Sequence, residues 1–409
     1  MSRKSATEPI PSPGLHDAGN GLSFFLIFSL STLGFVASAI IRVSDALLPP
    51  ISSEFNISVG EAGIIITVFA VIYGMFQLIH GGLGDRFGKI HVIVVFTFIG
   101  AIATYSCAYA ANLTELAILR GATGAAVAAG IPLSLAYIAD NVNYENRQSV
   151  IGGYIAGITI GQVFGVAISG MVTDLIGWRN VFRMFGVLLF FSGTLLTYMV
   201  LSKRAPKEAD GGTKMQLATY INLVKSPAAR AIFLICIVEG TFMYGSLMFA
   251  GALMRDRFGI SYTEIGIMLG GFGIGGLVLS LSINLLLKWF TDIQFVVIGG
   301  VLVGGCYLLL AFLQTPKILF PMFLLIGFGF FMFHITLQTK GTEMAPKTRG
   351  VAMALFSLSV FSGQALGALI IGSIIDRFSY VHAYVFTALA IFLLTFRFAR
   401  FVAASANRP

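Results

Sequence analysis

The feature that most constrains this chain is a series of long apolar runs separated by short polar breaks. They fall at 22–48, 60–82, 90–109, 113–138, 149–173 and 181–202, then at 228–253, 263–287, 294–314, 318–340, 349–375 and 381–402. About 20 apolar residues at 1.5 Å rise cross a hydrocarbon core ~30 Å thick, so each run can span a bilayer as a helix. A spanning segment must satisfy its own backbone polar groups, which a helix does. The expected fold class is an all-α membrane protein with twelve transmembrane helices. At 57% hydrophobic and 11% charged residues, with mean hydropathy +0.89, the composition excludes a soluble domain of this length.

One long polar stretch, Lys203–Lys225, divides the runs six and six. The expected organisation is a cytoplasmic tail 1–21, a six-helix bundle 22–202, a flexible linker 203–227 with one amphipathic turn, a second bundle 228–402 and a tail 403–409. The polar, proline-containing start reads as a cytoplasmic tail rather than a cleaved signal.

The two halves repeat. Phe55-Asn-Ile-Ser58 followed by Glu61 and Gly63-Ile64 recurs as Phe258-Gly-Ile-Ser261 followed by Glu264 and Gly266-Ile267, at an offset of 203. Gly161-Gln162-x-x-Gly165 recurs as Gly363-Gln364-x-x-Gly367, Gly170…Asp174 as Gly372…Asp376, and Arg147 as Arg349, all at an offset of 202. Several matches in order at nearly one offset mark an internal repeat. Six spans per copy give both copies the same orientation, related by an axis along the membrane normal, with a site between two rocking halves.

Orientation follows from the 26 Lys and Arg residues. With the N-terminus inside, about 18 fall in cytoplasmic segments and about 6 in outer loops. Both termini are therefore expected in the cytoplasm. The net charge of +8 is spread over loops, which suits topology and not nucleic acid. Cys107, Cys236 and Cys306 lie apart in apolar runs, as small core residues and not metal ligands.

Between the second and third runs lies Gly81-Gly-Leu-Gly-Asp85-Arg86-Phe-Gly88-Lys89. The expected structure is a tight, charged hairpin in which glycines allow a sharp turn, Asp85 accepts from a helix N-terminus, and Arg86 and Lys89 anchor the cytoplasmic end. The plain alternative is a charged turn that only fixes topology. This GxxxDRxGK pattern resembles the signature loop of the major facilitator superfamily of secondary transporters, with Ile90 where a second basic residue is common. Leu119-Arg120-Gly121-Ala-Thr-Gly124 resembles the family's arginine motif, with Thr123 in place of Gln. Gly157-x-x-x-Gly161-Gln-x-x-Gly165 resembles the antiporter glycine motif, with Gln162 in place of Pro. Arg42-Val-Ser-Asp45-Ala-Leu-Leu-Pro49 and Gly177-Trp-Arg-Asn-Val-Phe182 also look like family segments. The resemblance implies the major facilitator fold, two pseudo-symmetric six-helix bundles, and points to the twelve-span drug:proton antiporter branch.

Charge inside lipid is costly, so each intramembrane ionisable residue is a functional candidate. Glu239 lies about 17 Å along the seventh run, near the midplane. A carboxyl there is cheaper neutral than ionised, which makes Glu239 a candidate proton site. The alternative is a protonated side chain bonded to a carbonyl with no coupling role. Arg42 and Asp45, three apart on one helical face, are expected to form a self-contained surface pair near the outer end; Asp45 is a further proton candidate. Arg120 keeps its charge, needs a carboxylate or an anionic substrate, and is expected to approach Asp45. Tyr73, Gln77, Tyr244, Gln338 and Gln364, with Arg42 and Arg120, are substrate-binding candidates. Gln162 and Gln364 could instead hydrogen-bond between helices, the favoured reading. His334 is a possible proton relay or an ordinary core histidine. Gly81, Asp85, Arg86, Gly88 and Lys89 form the candidate gate. Gly157, Gly161, Gly165, Gly363 and Gly367 are helix-packing positions, and their helices are expected at the interface between the halves.

The expected function is proton-coupled export of a small organic molecule, by a monomer in a bacterial inner membrane. The alternatives are uptake of a defined metabolite or organic anion, with Arg120 as the anion site, and a non-transporting receptor or assembly protein. No metal-ligand spacing, nucleophile–base motif or phosphate loop appears, so no catalytic residue, metal or cofactor is assigned and the chain is not expected to be an enzyme. The expected partners are the substrate, protons and lipid.

Overall fold

The computed structural model describes residues 24–202, 217–345 and 348–406. The expected tail 1–21, linker residues 203–216 and the last residues 407–409 lie outside the described residues. Among the described residues twelve helices are long and apolar enough to cross a membrane. They are α1 Phe24–Ala46, α2 Val59–Phe87, α3 Lys89–Tyr109, α4 Leu113–Asn141, α5 Tyr144–Ile176 and α6 Trp178–Leu201, then α7 Pro227–Phe258, α8 Tyr262–Leu286, α9 Asp292–Phe312, α10 Pro316–Glu343, α11 Arg349–Arg377 and α12 Tyr380–Ala404. The amphipathic turn expected in the linker is a nine-residue helix, Leu217–Lys225.

Local chemistry sets the helix starts. The repeated Ser…Glu pairs are capping boxes: Ser58 with Glu61 opens α2, and Ser261 with Glu264 opens α8. In each, the serine hydroxyl accepts from the glutamate N–H while the carboxylate accepts from the serine N–H. Helices α3 and α6 follow Gly88 and Gly177, each at φ 87°, where a side chain would be strained.

The signature loop departs from expectation. Residues 81–87 continue α2 as helix, and only Gly88 turns the chain. Four glycines do not oblige a turn, because glycine tolerates a helix interior at a modest entropic cost. Asp85 is exposed in the last turn of α2 and accepts no hydrogen bond among the described residues, contrary to its expected capping role. Lys89 does pair across helices, with Asp140 of α4 at 2.8 Å.

The glycine motifs make close helix contacts, as expected, and they do so within each half. A Cβ at Gly161 would overlap the Phe35 carbonyl, and one at Gly165 would lie 2.6 Å from the Ala39 Cα. Gly157 is looser, 3.7 Å from the Ser31 oxygen. This stripe therefore brings α5 against α1, inside one half. Gly363 and Gly367 do the same for α11 against α7, where added Cβ atoms would overlap the Ile237 and Thr241 carbonyls. The grooves weld each half together and do not form the surface between halves. A four-residue spacing fixes which glycines share a face, and it leaves open which helix that face meets.

The same two helices also lie where the halves meet, as expected: α11 touches α2 and α5 touches α8. Gly60 meets Gly372, Tyr73 meets Phe361 with ring centroids 4.4 Å apart, and Gly170, Gly266 and Gly273 bring α5 and α8 together. These contacts concentrate on the face opposite the Gly81–Lys89 loop. Toward the loop face they run out: Gly152 and Gly153 of α5 face open space, and Leu281 and Leu285 of α8 are exposed.

Candidate functional site

Glu239 is fully buried in α7, and its carboxylate lies 3.0 and 3.1 Å from Nδ1 of His334 on α10. Two proton candidates with no sequence proximity thus form one pair. The ring of Phe330 stacks on His334 at 5.1 Å, and Phe356 meets it edge-on at 5.5 Å. These rings pack the imidazole on two sides.

The backbone next to Glu239 is unusual. Residues Gly240–Tyr244 form a π-helical turn, a feature that widens a helix and recurs at functional sites. Irregular backbone at membrane depth must find hydrogen bonds elsewhere. Tyr307 of α9 donates to the Met243 carbonyl at 2.7 Å, and Tyr384 of α12 donates to the Ser246 carbonyl at 3.0 Å. Two neighbouring spans thereby pin the turn that presents Glu239.

Across from this pair, Arg42 bonds Asp45 at 2.7 Å. The pair is formed as expected but is not at the surface, since both side chains are under a tenth exposed. The guanidinium lies over Tyr244 at 5.3 Å and Phe272 at 5.8 Å, both in the other half. A cation over ring faces in a desolvated setting is attractive and offsets part of the burial cost. Tyr244 lies within electrostatic reach of Arg42, Glu239 and Asp45 at once. It therefore lies near both pairs.

Arg120 of α4 does not pair directly with Asp45. It lies close enough for their charges to interact, yet bonds only the Ile40 carbonyl, at 3.4 Å, and sits over Phe69 at 4.2 Å. Its Nε and Nη1 are buried with no hydrogen-bond partner among the described residues. The expected approach of Arg120 to Asp45 is present as a charge interaction, while Arg42 holds the carboxylate directly.

The remaining candidates divide. Tyr73 is buried at the contact with Phe361, with Gln77 in hydrogen-bonding reach of its phenol. Gln364 is buried and Gln162 half-buried, and neither makes a side-chain hydrogen bond among the described residues, so the favoured interhelical bonding is absent in this conformation. Gln338 is exposed one turn from His334 and is not drawn into the cluster. At the loop face Arg86 lies over Phe87 at 5.1 Å, and Gly81 faces open space. Asp85 is near Tyr220 of the linker helix, and burial together with this anion pushes the Tyr220 phenol up from its usual range. Phe272 and Phe361 were not anticipated, because in a chain with 37 phenylalanines nothing distinguishes those that face the centre.

Comparison with known proteins places this arrangement. An uncharacterized transporter of Buchnera aphidicola subsp. Schizaphis graminum is 24% identical over 59% of this chain and 59% of its own; the chain thus matches about three fifths of that relative's length. The multidrug export protein EmrB of Haemophilus influenzae is 27% identical over 45% of this chain and 36% of its own. The solved structure of the nucleoside transporter NupG superposes with a TM-score of 0.77 at 14% identity, covering 91% of this chain and 98% of that one, which speaks for the fold. The family model described as Major Facilitator Superfamily matches residues 30–368. Twelve spanning helices, two related halves meeting around a buried charged centre, and that match together make the chain a member of the major facilitator superfamily, a multi-pass membrane transporter.

Proposed function

We propose that this chain is a proton-coupled carrier that exports small organic molecules by alternating access, with Glu239 and His334 as its proton site. The observation that carries the reading is a fully buried carboxylate held by a histidine beside a π-helical turn. The likeness to a drug exporter supports the direction. The Lys and Arg distribution supports a cytoplasmic loop face with both termini on that side; the bacterial relatives favour a bacterial inner membrane, where the chain works as a monomer. On that assignment the conformation described is closed outside and opens inward. A proton from outside neutralises Glu239 and weakens its hold on His334. The halves then rock, the carboxyl deprotonates inward, and the returning substrate-bound state opens outward. In this reading Tyr73, Gln77, Tyr244, Gln338 and Gln364 are the side chains that meet the substrate during the cycle. Asp85, Arg86 and Lys89 bias the cycle from the cytoplasmic side, with Asp85 finding its partner only when that side is shut.

A second reading, uptake of an organic anion by symport, is favoured by one specific observation. Arg120 is a buried cation with two unbonded nitrogens, which a substrate carboxylate could fill. Both readings are tested in proteoliposomes with an imposed proton gradient of either sign and a panel of radiolabelled organic anions and fluorescent cationic dyes. Export predicts dye accumulation against an opposing proton flow, lost in Glu239→Gln. Anion accumulation along the proton flow, lost in Arg120→Gln, would replace it with uptake. Flux of either kind that ignores the gradient would refute proton coupling.

A further inference from the structure

Two acidic residues sit at the wrong end of their own helices. Asp174 lies in the last turn of α5 and Asp376 in the last turn of α11, where the helix dipole disfavours an anion. Each carboxylate reaches across to the start of a helix in the other half. Asp376 accepts from the Ser58 hydroxyl at 2.6 Å and the Gly60 N–H at 3.0 Å, at the start of α2. Asp174 accepts from the Tyr262 N–H at 3.2 Å and from the Thr263 N–H and hydroxyl at 2.6 and 2.7 Å, at the start of α8. There the dipole and the free N–H groups favour an anion.

The two contacts are copies of one another. Asp174 and Asp376 are 202 residues apart, and the helix starts they cap carry the repeated Ser58…Glu61 and Ser261…Glu264 boxes. The glutamate of each box is already used within its own turn, so the remaining N–H groups are left for the aspartate. Glycines make the approach possible: a Cβ at Gly60 would overlap the Asp376 carboxylate, and one at Gly170 the Tyr262 carbonyl. Both contacts lie on the face opposite the signature loop, where the halves are closed.

We propose that Asp174 and Asp376 are twin latches that hold this face shut, each releasing when the halves rock apart. The physical reason is that each aspartate is well placed only in the closed state. Opening returns both carboxylates to the unfavourable end of their own helices and bares the N–H groups of two others. Having two equivalent latches on opposite sides of the central axis makes the closure symmetric, so neither seam opens first. The proposal rests on alternating access and not on the proton site, and it does not require knowing the substrate.

The test uses double electron–electron resonance on the full chain in lipid nanodiscs, with spin labels at Leu175→Cys on α5 and Gln314→Cys in the loop after α9. Both are exposed positions on the latched face. Wild type should show mainly the short, closed distance. Asp174→Asn and Asp376→Asn should each shift the closed-to-open ratio about tenfold toward open, the loss expected of one charge-assisted contact, and the double variant should shift it further. Glu54→Gln, an exposed charge on the same face that bonds only Trp178 and Arg179 of its own half, should leave the distribution unchanged. Should the Asn variants fail to insert, Thr263→Ala and Ser58→Ala remove the hydroxyl donors, leave the backbone N–H donors, and should open the same seams to a smaller extent. A double variant with the wild-type distribution, or a Glu54→Gln variant that opens as far, would overturn the proposal. Because the labels report closure whatever drives the cycle, a failed proton assignment would leave this result standing.

Discussion

Arg42 is the residue whose removal should be felt most in stability. It neutralises a buried carboxylate and caps two aromatic rings of the other half. Arg42→Ala strands Asp45 in a low-dielectric interior, and breaking a buried pair in this way costs about 3–5 kcal/mol. A clear drop in the thermal unfolding midpoint in detergent is expected, with partial recovery when Asp45→Asn is added. Tyr307→Phe is a subtler test. It takes the donor from the Met243 carbonyl at the π-helical turn, and a buried acceptor left unsatisfied costs about 1–3 kcal/mol. If the turn presents Glu239, Tyr307→Phe should also slow proton-driven transport more than its stability loss explains. At this scale the sequence was half legible. A carboxylate in an apolar run identifies Glu239, because nothing else makes such a charge tolerable. Its partner His334 lies 95 residues away, and the rotation of α7 against α10 that joins them is a property of packing. Arg120 shows the same limit: depth along two helices indicates that it comes within electrostatic reach of Asp45, but not that the nearer Arg42 holds the carboxylate.

Among the elements, the glycine stripe of α5 makes a sharp contrast possible. Gly161→Leu must displace the α1 backbone at Phe35 and the Ser38 hydroxyl, an overpacking cost of about 1–3 kcal/mol. Gly152→Leu, one helix face away in open space, should stay within about 0.5 kcal/mol. Comparing their detergent melting curves tests whether the motif serves α1–α5 packing; equal effects would argue against it. Gly88→Ala should be costly by about 1–3 kcal/mol because φ 87° strains any side chain, whereas Gly81→Ala, inside the helix, should be neutral or mildly stabilising. The motif itself was evident from spacing, and so was its duplication. What spacing could not supply was the identity of the facing helix, nor that three of four glycines in the loop would remain helical. The repeated Ser…Glu pairs were also evident as a repeat, and the structure shows them to be capping boxes that open two helices.

For the whole molecule, twelve spans and a six-and-six division follow from hydropathy and length, because lipid leaves a chain few other options. The asymmetry of the two faces was not accessible in the same way. One face is sealed by paired aspartates and close glycine contacts, while α5 and α8 separate toward the other. A sequence must encode both ends of the cycle, so it does not specify which of them is adopted. The buried pair Glu239–His334 and the rocking of the halves are joined in one claim: protonation of the carboxyl shifts the balance between the two conformations. The most direct measurement is the distance across the loop face between spin labels at Gly153→Cys on α5 and Leu285→Cys on α8, recorded in nanodiscs over a range of pH; the native cysteines are buried. The account predicts two distances whose populations change with pH in the native background and stop changing in Glu239→Gln. A single distance at every pH, or the same pH response with residue 239 replaced, would contradict it.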